Sequence, residues 1–122
     1  MNVQFRVDTE PLDGGHAVSV TGELDQATVP ELKQALSDAL GSQTNGAIFV
    51  DLSDCEFIDS TGLSLLVQAQ RRLTEEDRGF AICCPQADVK RLLQLTGIDE
   101  AVGTYDTRDE AIAALNDRPA GH

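Results

Sequence analysis

Ala47-Ile48-Phe49-Val50-Asp51-Leu52 is a nearly unbroken apolar run, and the segment Ser60 to Asp77 that follows it carries apolar residues at helical spacing. A short strand that is apolar throughout is covered on both faces, the habit of strands in a largely parallel sheet. The helix that follows sets Leu65, Leu66, Ala69 and Leu73 on one face and Ser64, Gln68, Arg71, Arg72 and Glu75 on the other. That amphipathic division lets the first set dock on the sheet. The pair predicts an α/β fold.

Upstream, Val3, Phe5 and Val7 alternate with Gln4, Arg6 and Asp8, Asp13-Gly14-Gly15 signals a turn, and His16 to Gly22 alternates again. These runs predict an antiparallel hairpin. Thr28 and Glu31 have capping-box spacing, with Pro30 in the first turn, and Val29, Leu32, Leu36 and Ala39 continue a helix that Gly41 closes. Downstream, Gly79 ends the Ser60 helix and Phe80 to Cys84 reads as a strand. Pro85 opens a third helix with Val89, Leu92, Leu93 and Thr96 as its buried face and Gly97 as its stop. Val102 to Tyr105 is a weak last strand, and Thr107 and Glu110 form a second capping box before Ile112 and Leu115. The expected architecture is a mostly parallel central sheet with an N-terminal antiparallel hairpin and about four helices. Residues 1–117 read as a single domain and residues 118–122 as a disordered tail.

The chain has 122 residues, enough for one domain with a real core. Nine Lys and Arg against 21 Asp and Glu leave a net charge of −12. Phosphate backbones and anionic membrane surfaces would be repelled, so neither nucleic acid nor membrane is an expected partner. No run approaches the roughly 20 apolar residues of a membrane span, and the first residues lack the apolar stretch of a signal peptide. Cys55, Cys83 and Cys84 are odd in number and two are adjacent. A disulfide framework is therefore not expected, and a cytoplasmic monomer with free thiols is. His16 and His122 have no ligand spacing to the thiols, so neither a metal nor a cofactor is expected.

In such a sheet the functional loops lie beyond the carboxyl ends of the strands. Three qualify: Gly22 to Asp25, Asp54 to Gly62, and Cys84-Pro85, all expected on one rim. Ser60 stands at the start of a helix, where unpaired backbone N–H groups and the helix dipole favour an anion such as a phosphoryl group. Gly62, lacking a side chain, is expected to let a partner's backbone approach. Asp25 and Asp59 admit three readings: paired acid–base carboxylates, a turn residue and a helix cap, or groups that repel or orient charge at Ser60. There is no G-x-S-x-G elbow, no phosphate-binding G-x-x-x-x-G-K-[ST] loop and no C-x-x-C pair. A hydrolase using Ser60 would need a general base that the sequence does not show, and no enzyme activity is expected.

Gly22-Glu23-Leu24-Asp25 together with Val50 to Leu63, above all Asp59-Ser60-Thr61-Gly62-Leu63, resembles the STAS domain family. Val89 to Leu93 and Leu95-Thr96-Gly97-Ile98 are similar to its third helix and stop. The resemblance implies an anti-sigma factor antagonist that binds an anti-sigma factor serine kinase and so releases a sigma factor. It further implies phosphorylation of Ser60 by that kinase and reversal by a phosphoserine phosphatase. Asp25, Asp59, Thr61 and Gly62 match the family's partner-binding surroundings, and Thr61 is a second candidate acceptor. The same fold also serves as a docking subunit in stress-sensing or transport complexes. At 100° per residue Ser64, Gln68 and Arg71 share the azimuth of Ser60, which predicts that they extend the partner footprint.

Overall fold

The computed structural model describes residues 4–12, 14–41, 46–83 and 86–116. β1 (Arg6–Leu12) and β2 (Gly15–Leu24) form the antiparallel hairpin, with Leu12 opposite Gly15. β3 (Ala47–Ile58), β4 (Phe80–Cys83) and β5 (Gly103–Tyr105) add in parallel, so one sheet runs in the order β1-β2-β3-β4-β5. α1 (Val29–Leu40), α2 (Ser60–Glu75), α3 (Ala87–Leu95), the one-turn α4 (Ile98–Ala101) and α5 (Arg108–Asn116) complete the described elements. α4 is one more helix than the sequence pattern suggested. It forms because Gly97 takes a left-handed conformation and restarts the chain after α3. Asp13, Cys84, Pro85 and the expected tail lie outside the described residues.

The two faces of the sheet are packed unequally. On one, Leu32 and Leu36 of α1, Leu66 and Leu73 of α2 and Val89 and Leu93 of α3 bury against Val18, Val20, Ile48, Val50, Leu52 and Ile82. Each fully buried leucine contributes roughly 2 kcal/mol, which fixes α2 on the sheet by the face its periodicity marks. On the other face α5 lays Ala111 over Phe49, Ala81 and Cys83. Arg108 stacks its guanidinium 5.6 Å from the Phe49 ring centroid. Cys55 and Cys83 are free and buried, and desolvation pushes both thiols up, which keeps them protonated and unreactive.

Three local expectations change. β1 runs on through Pro11 and Leu12, since an edge strand tolerates a proline with no N–H to donate. Thr96 is exposed rather than buried, because α3 ends at Leu95 and the Thr96 hydroxyl turns back to the Leu92 carbonyl at 2.8 Å. α2 stops at Glu75, before Gly79, where Asp77 takes the left-handed position and Arg78 turns inward.

Arg78 is the buried charged residue of the described chain. Its Nε donates to the Gly46 carbonyl at 2.8 Å, and its Nη1 donates to the Leu40 carbonyl at 3.2 Å and to Glu76 at 3.1 Å. The guanidinium thereby holds the end of α1 and the entry to β3 against the end of α2. Arg78→Met keeps the apolar stem but strands those carbonyls, and should cost about 2–4 kcal/mol. Urea denaturation checks this, and an unchanged midpoint would show that the carbonyls find other donors.

Candidate functional site

Leu24 and Ile58 are register partners at the carboxyl ends of β2 and β3, and both are buried. The residues that follow them, Asp25 and Asp59, therefore emerge side by side. Residues 54–58 and 22–24 were expected as loops and are strand. Two register shifts, at Ser19/Thr21 and Gly22/Glu23, keep the two strands paired to their ends. Gly22 makes the second shift possible with a φ of 96°, which other residues rarely adopt. The third expected loop, Cys84-Pro85, lies outside the described residues. β4 ends at Cys83 opposite Asp51, well short of where β3 ends.

Asp59 caps α2. Its Oδ1 accepts from the backbone N–H of Thr61 at 2.9 Å and of Gly62 at 3.1 Å, and from the Thr61 hydroxyl at 2.5 Å. Its Oδ2 accepts from the Gln26 N–H at 3.1 Å, and its own N–H donates to the Leu24 carbonyl at 3.0 Å. The Thr61 hydroxyl bond first, and then the Gly62 N–H, hold its carboxyl below the usual range against an opposing desolvation. The helix terminus is thus not an open anion site, because Asp59 already occupies two of the N–H groups that were expected to be free.

Asp25 plays the turn role. Its Oδ1 accepts from the N–H groups of Ala27 at 3.0 Å and Thr28 at 3.1 Å, and its carbonyl accepts from Val29 at 2.8 Å. The expected Thr28–Glu31 capping box does not form. Thr28 has helical backbone angles, and its hydroxyl donates to the Glu23 carbonyl at 2.8 Å and accepts from the Asp25 N–H at 2.9 Å. The second box does form in part, with the Glu110 N–H donating to Thr107 Oγ1 at 3.2 Å.

Ser60 is the first residue of α2 and is exposed. Its hydroxyl makes no hydrogen bond among the described residues, whereas that of half-buried Thr61 is held by Asp59. His16 pairs with Pro11 and Ile48 near the start of β2, at the far end of the strand from Ser60, and His122 lies outside the described residues. Gly62 is buried. A Cβ there would meet Ile58 Cγ1 at 2.8 Å and Leu24 Cγ at 3.0 Å. The missing side chain faces inward, so Gly62 serves the close packing of α2 on the two strands and not the approach of a partner's backbone.

Ser64, Gln68 and Arg71 are exposed on α2, and with Ser60 they line one groove of about 410 Å³ against Thr96 and Ile98. The α2 helix thus places all four on one side. Periodicity alone did not reveal the half-buried Leu63 and Val67 on the floor of this groove, although their spacing of four residues beside the polar stripe was the available signal. Nor did it reveal Phe57, 46% exposed beside Glu56 at the rim. Among the described residues no three His, Cys, Asp or Glu gather to hold a metal, and no helix is long and apolar enough to cross a membrane.

The STAS domain family model matches residues 6–111, the whole sheet and most of the helices around it. The chain belongs to the STAS domain family. The anti-sigma-B factor antagonist of Staphylococcus aureus is 33% identical over 98 residues, covering 80% of this chain and 90% of that one. The crystal structure of an anti-sigma factor antagonist from Mycobacterium paratuberculosis superposes with a TM-score of 0.86 at 34% identity. It covers 93% of this chain and 96% of that one. The Bacillus cell fate determinant SpoIIAA in its phosphorylated form shares the fold, with a TM-score of 0.69 at 21% identity over 90% of this STAS chain and 99% of that one.

Two outcomes test the geometry of this STAS rim. Gly62→Ala should destabilise by about 1–3 kcal/mol through overpacking against Leu24 and Ile58, read as a lower denaturation midpoint. For Asp59 the folded pKa is lowered, so its charge contributes stability in full above the unfolded value of about 3.9 and loses it as pH falls through the folded value. Asp59→Asn retains capping ability. Its stability deficit should be largest near neutral pH and shrink below about pH 4 in urea titrations; a deficit constant with pH would contradict the assignment.

Proposed function

We propose that this STAS protein is an anti-sigma factor antagonist switched at Ser60. In its free form it docks on an anti-sigma factor that is also a serine kinase, and a sigma factor is released. Transfer of a phosphoryl group to the Ser60 hydroxyl ends docking, and a phosphoserine phosphatase restores it. The protein acts as a regulatory monomer in the cytoplasm and as a kinase substrate rather than an enzyme. The observation that carries this reading is the Ser60 hydroxyl itself, exposed and unengaged at the head of α2 with its neighbour Thr61 tied down. The named relatives and the phosphorylated SpoIIAA support it.

The electrostatics suit such a switch. Asp25 and Asp59 stand at the same rim, exposed Glu23 and Glu56 lie beside them, and the chain carries −12 overall. A phosphoryl group adds about −1.5 to −2. Asp59 already uses the N–H groups of Thr61 and Gly62, so that charge must be desolvated or repelled within any docked interface. A loss of about 3 kcal/mol would lower affinity more than a hundredfold. Asp25, Asp59, Ser60 and Thr61 form the core of the footprint, and Ser64, Gln68 and Arg71 extend it along α2.

Incubation with a cognate anti-sigma kinase and ATP, followed by phosphosite mapping, should label Ser60 and leave Thr61 unlabelled. Ser60→Ala should abolish labelling and keep binding, while Ser60→Asp should weaken binding. Label on Thr61, or on a residue away from the rim, would overturn the assignment. Replacing Gln68 and Arg71 together with Glu should weaken binding in a titration, and unchanged affinity would confine the footprint to the rim.

A further inference from the structure

The groove beside Ser60 is longer than a switch alone requires. It runs along α2 from Ser60 to Arg71, about 16 Å by helical rise, and continues into a second chamber of about 280 Å³ that shares Val67, Arg71, Thr96 and Ile98. The floor is aliphatic, from Leu63, Val67 and Ile98, and the upper edge is polar. Arg71 stands at the far end. Unlike Arg72, which pairs with Glu76 at 3.1 Å, Arg71 has no ion-pair partner among the described residues. In a chain with a net charge of −12, a cation left unpaired beside an apolar trough is a site for an external carboxylate.

We infer that this groove receives an amphipathic helix of the same anti-sigma partner, laid apolar side down along α2 with a carboxylate at Arg71. The inference rests on the function proposed above and adds the chemistry of the partner's contact. A span of three turns, an aliphatic floor and one terminal charge are the features by which a groove receives a helix, with anchors at i, i+3, i+4 and i+7. A second copy of this chain is disfavoured as occupant, because two strongly acidic chains repel one another. The Arg71 charge fixes which way the helix runs. The other end of the helix then lies beside Ser60, where an added phosphoryl group would be desolvated against apolar side chains. Once the hydroxyl carries a phosphoryl group, docking on the groove is thereby weakened.

The test titrates the cognate anti-sigma kinase with the wild-type chain and with Val67→Gln, Arg71→Glu, Arg91→Glu and Ser60→Asp, each checked for a wild-type melting curve. Arg91 is exposed on α3 and does not line the groove. Val67→Gln should lower affinity about tenfold at any salt concentration. Arg71→Glu should lower it by a similar factor, with the loss shrinking as salt rises. Arg91→Glu should bind as the wild type does. If Ser60→Asp is impaired while Val67→Gln and Arg71→Glu bind normally, the groove proposal falls and the Ser60 switch stands. Should Val67→Gln fail to fold, Arg71→Glu alone decides. Self-association of the wild type that Arg71→Glu abolishes would make a second copy the occupant and overturn the proposal. If the wild type binds no anti-sigma kinase, the functional reading fails and takes this one with it.

Discussion

Four donors converge on one carboxylate, that of Asp59: the N–H groups of Gln26, Thr61 and Gly62 and the hydroxyl of Thr61. The site depends on that convergence. It closes the first turn of α2 and ties the loop after β2 to the loop after β3. It also holds the Thr61 hydroxyl while leaving that of Ser60 outside. A lone surface carboxylate could not hold this geometry, because each bond would compete with water. Here the Leu24–Ile58 pairing beneath it brings the donors to fixed positions before the carboxylate engages them.

The arrangement separates rigidity from reactivity. Beneath the rim, Gly62 allows α2 to approach Leu24 and Ile58 so closely that no other side chain fits, and the helix start is held as firmly as the core. Above it, one small hydroxyl is presented to solvent. A negative charge added there meets Asp25 and Asp59 on the same rim and finds the Thr61 and Gly62 N–H groups taken. The proposed switch at Ser60 would therefore need no change in the fold itself.

Much of this was legible in the residues. The order of elements follows from alternation in β1 and β2, the apolar run of β3 and the helical spacing of α2, since burial on a given face requires a given period. The inward faces of α1 and α2 and the side of α2 that carries Ser60, Ser64, Gln68 and Arg71 follow from 100° per residue. The roles of single residues were less legible. Thr28 and Thr107 have the same spacing to a following glutamate, yet only Thr107 caps its helix, because the Thr28 hydroxyl is taken by the Glu23 carbonyl and the Asp25 N–H, and the Glu31 N–H donates to the Thr28 carbonyl instead. The extension of β3 to Ile58 was hidden because Asp54, Cys55 and Glu56 interrupt the apolar pattern of a strand that is covered unevenly.

Composition, periodicity and motif determined by themselves the α/β class, the strongly acidic surface, the docking face of α2 and the candidacy of Ser60, because each is a local property of adjacent residues. Tertiary structure alone decided that Asp25 and Asp59 stand side by side, that Gly62 faces inward, and that Leu63, Val67 and Ile98 line a trough leading away from Ser60. Those facts depend on register between strands and on how α2 and α4 come to line one groove. Both are set by how distant segments pack, which no spacing along the chain encodes.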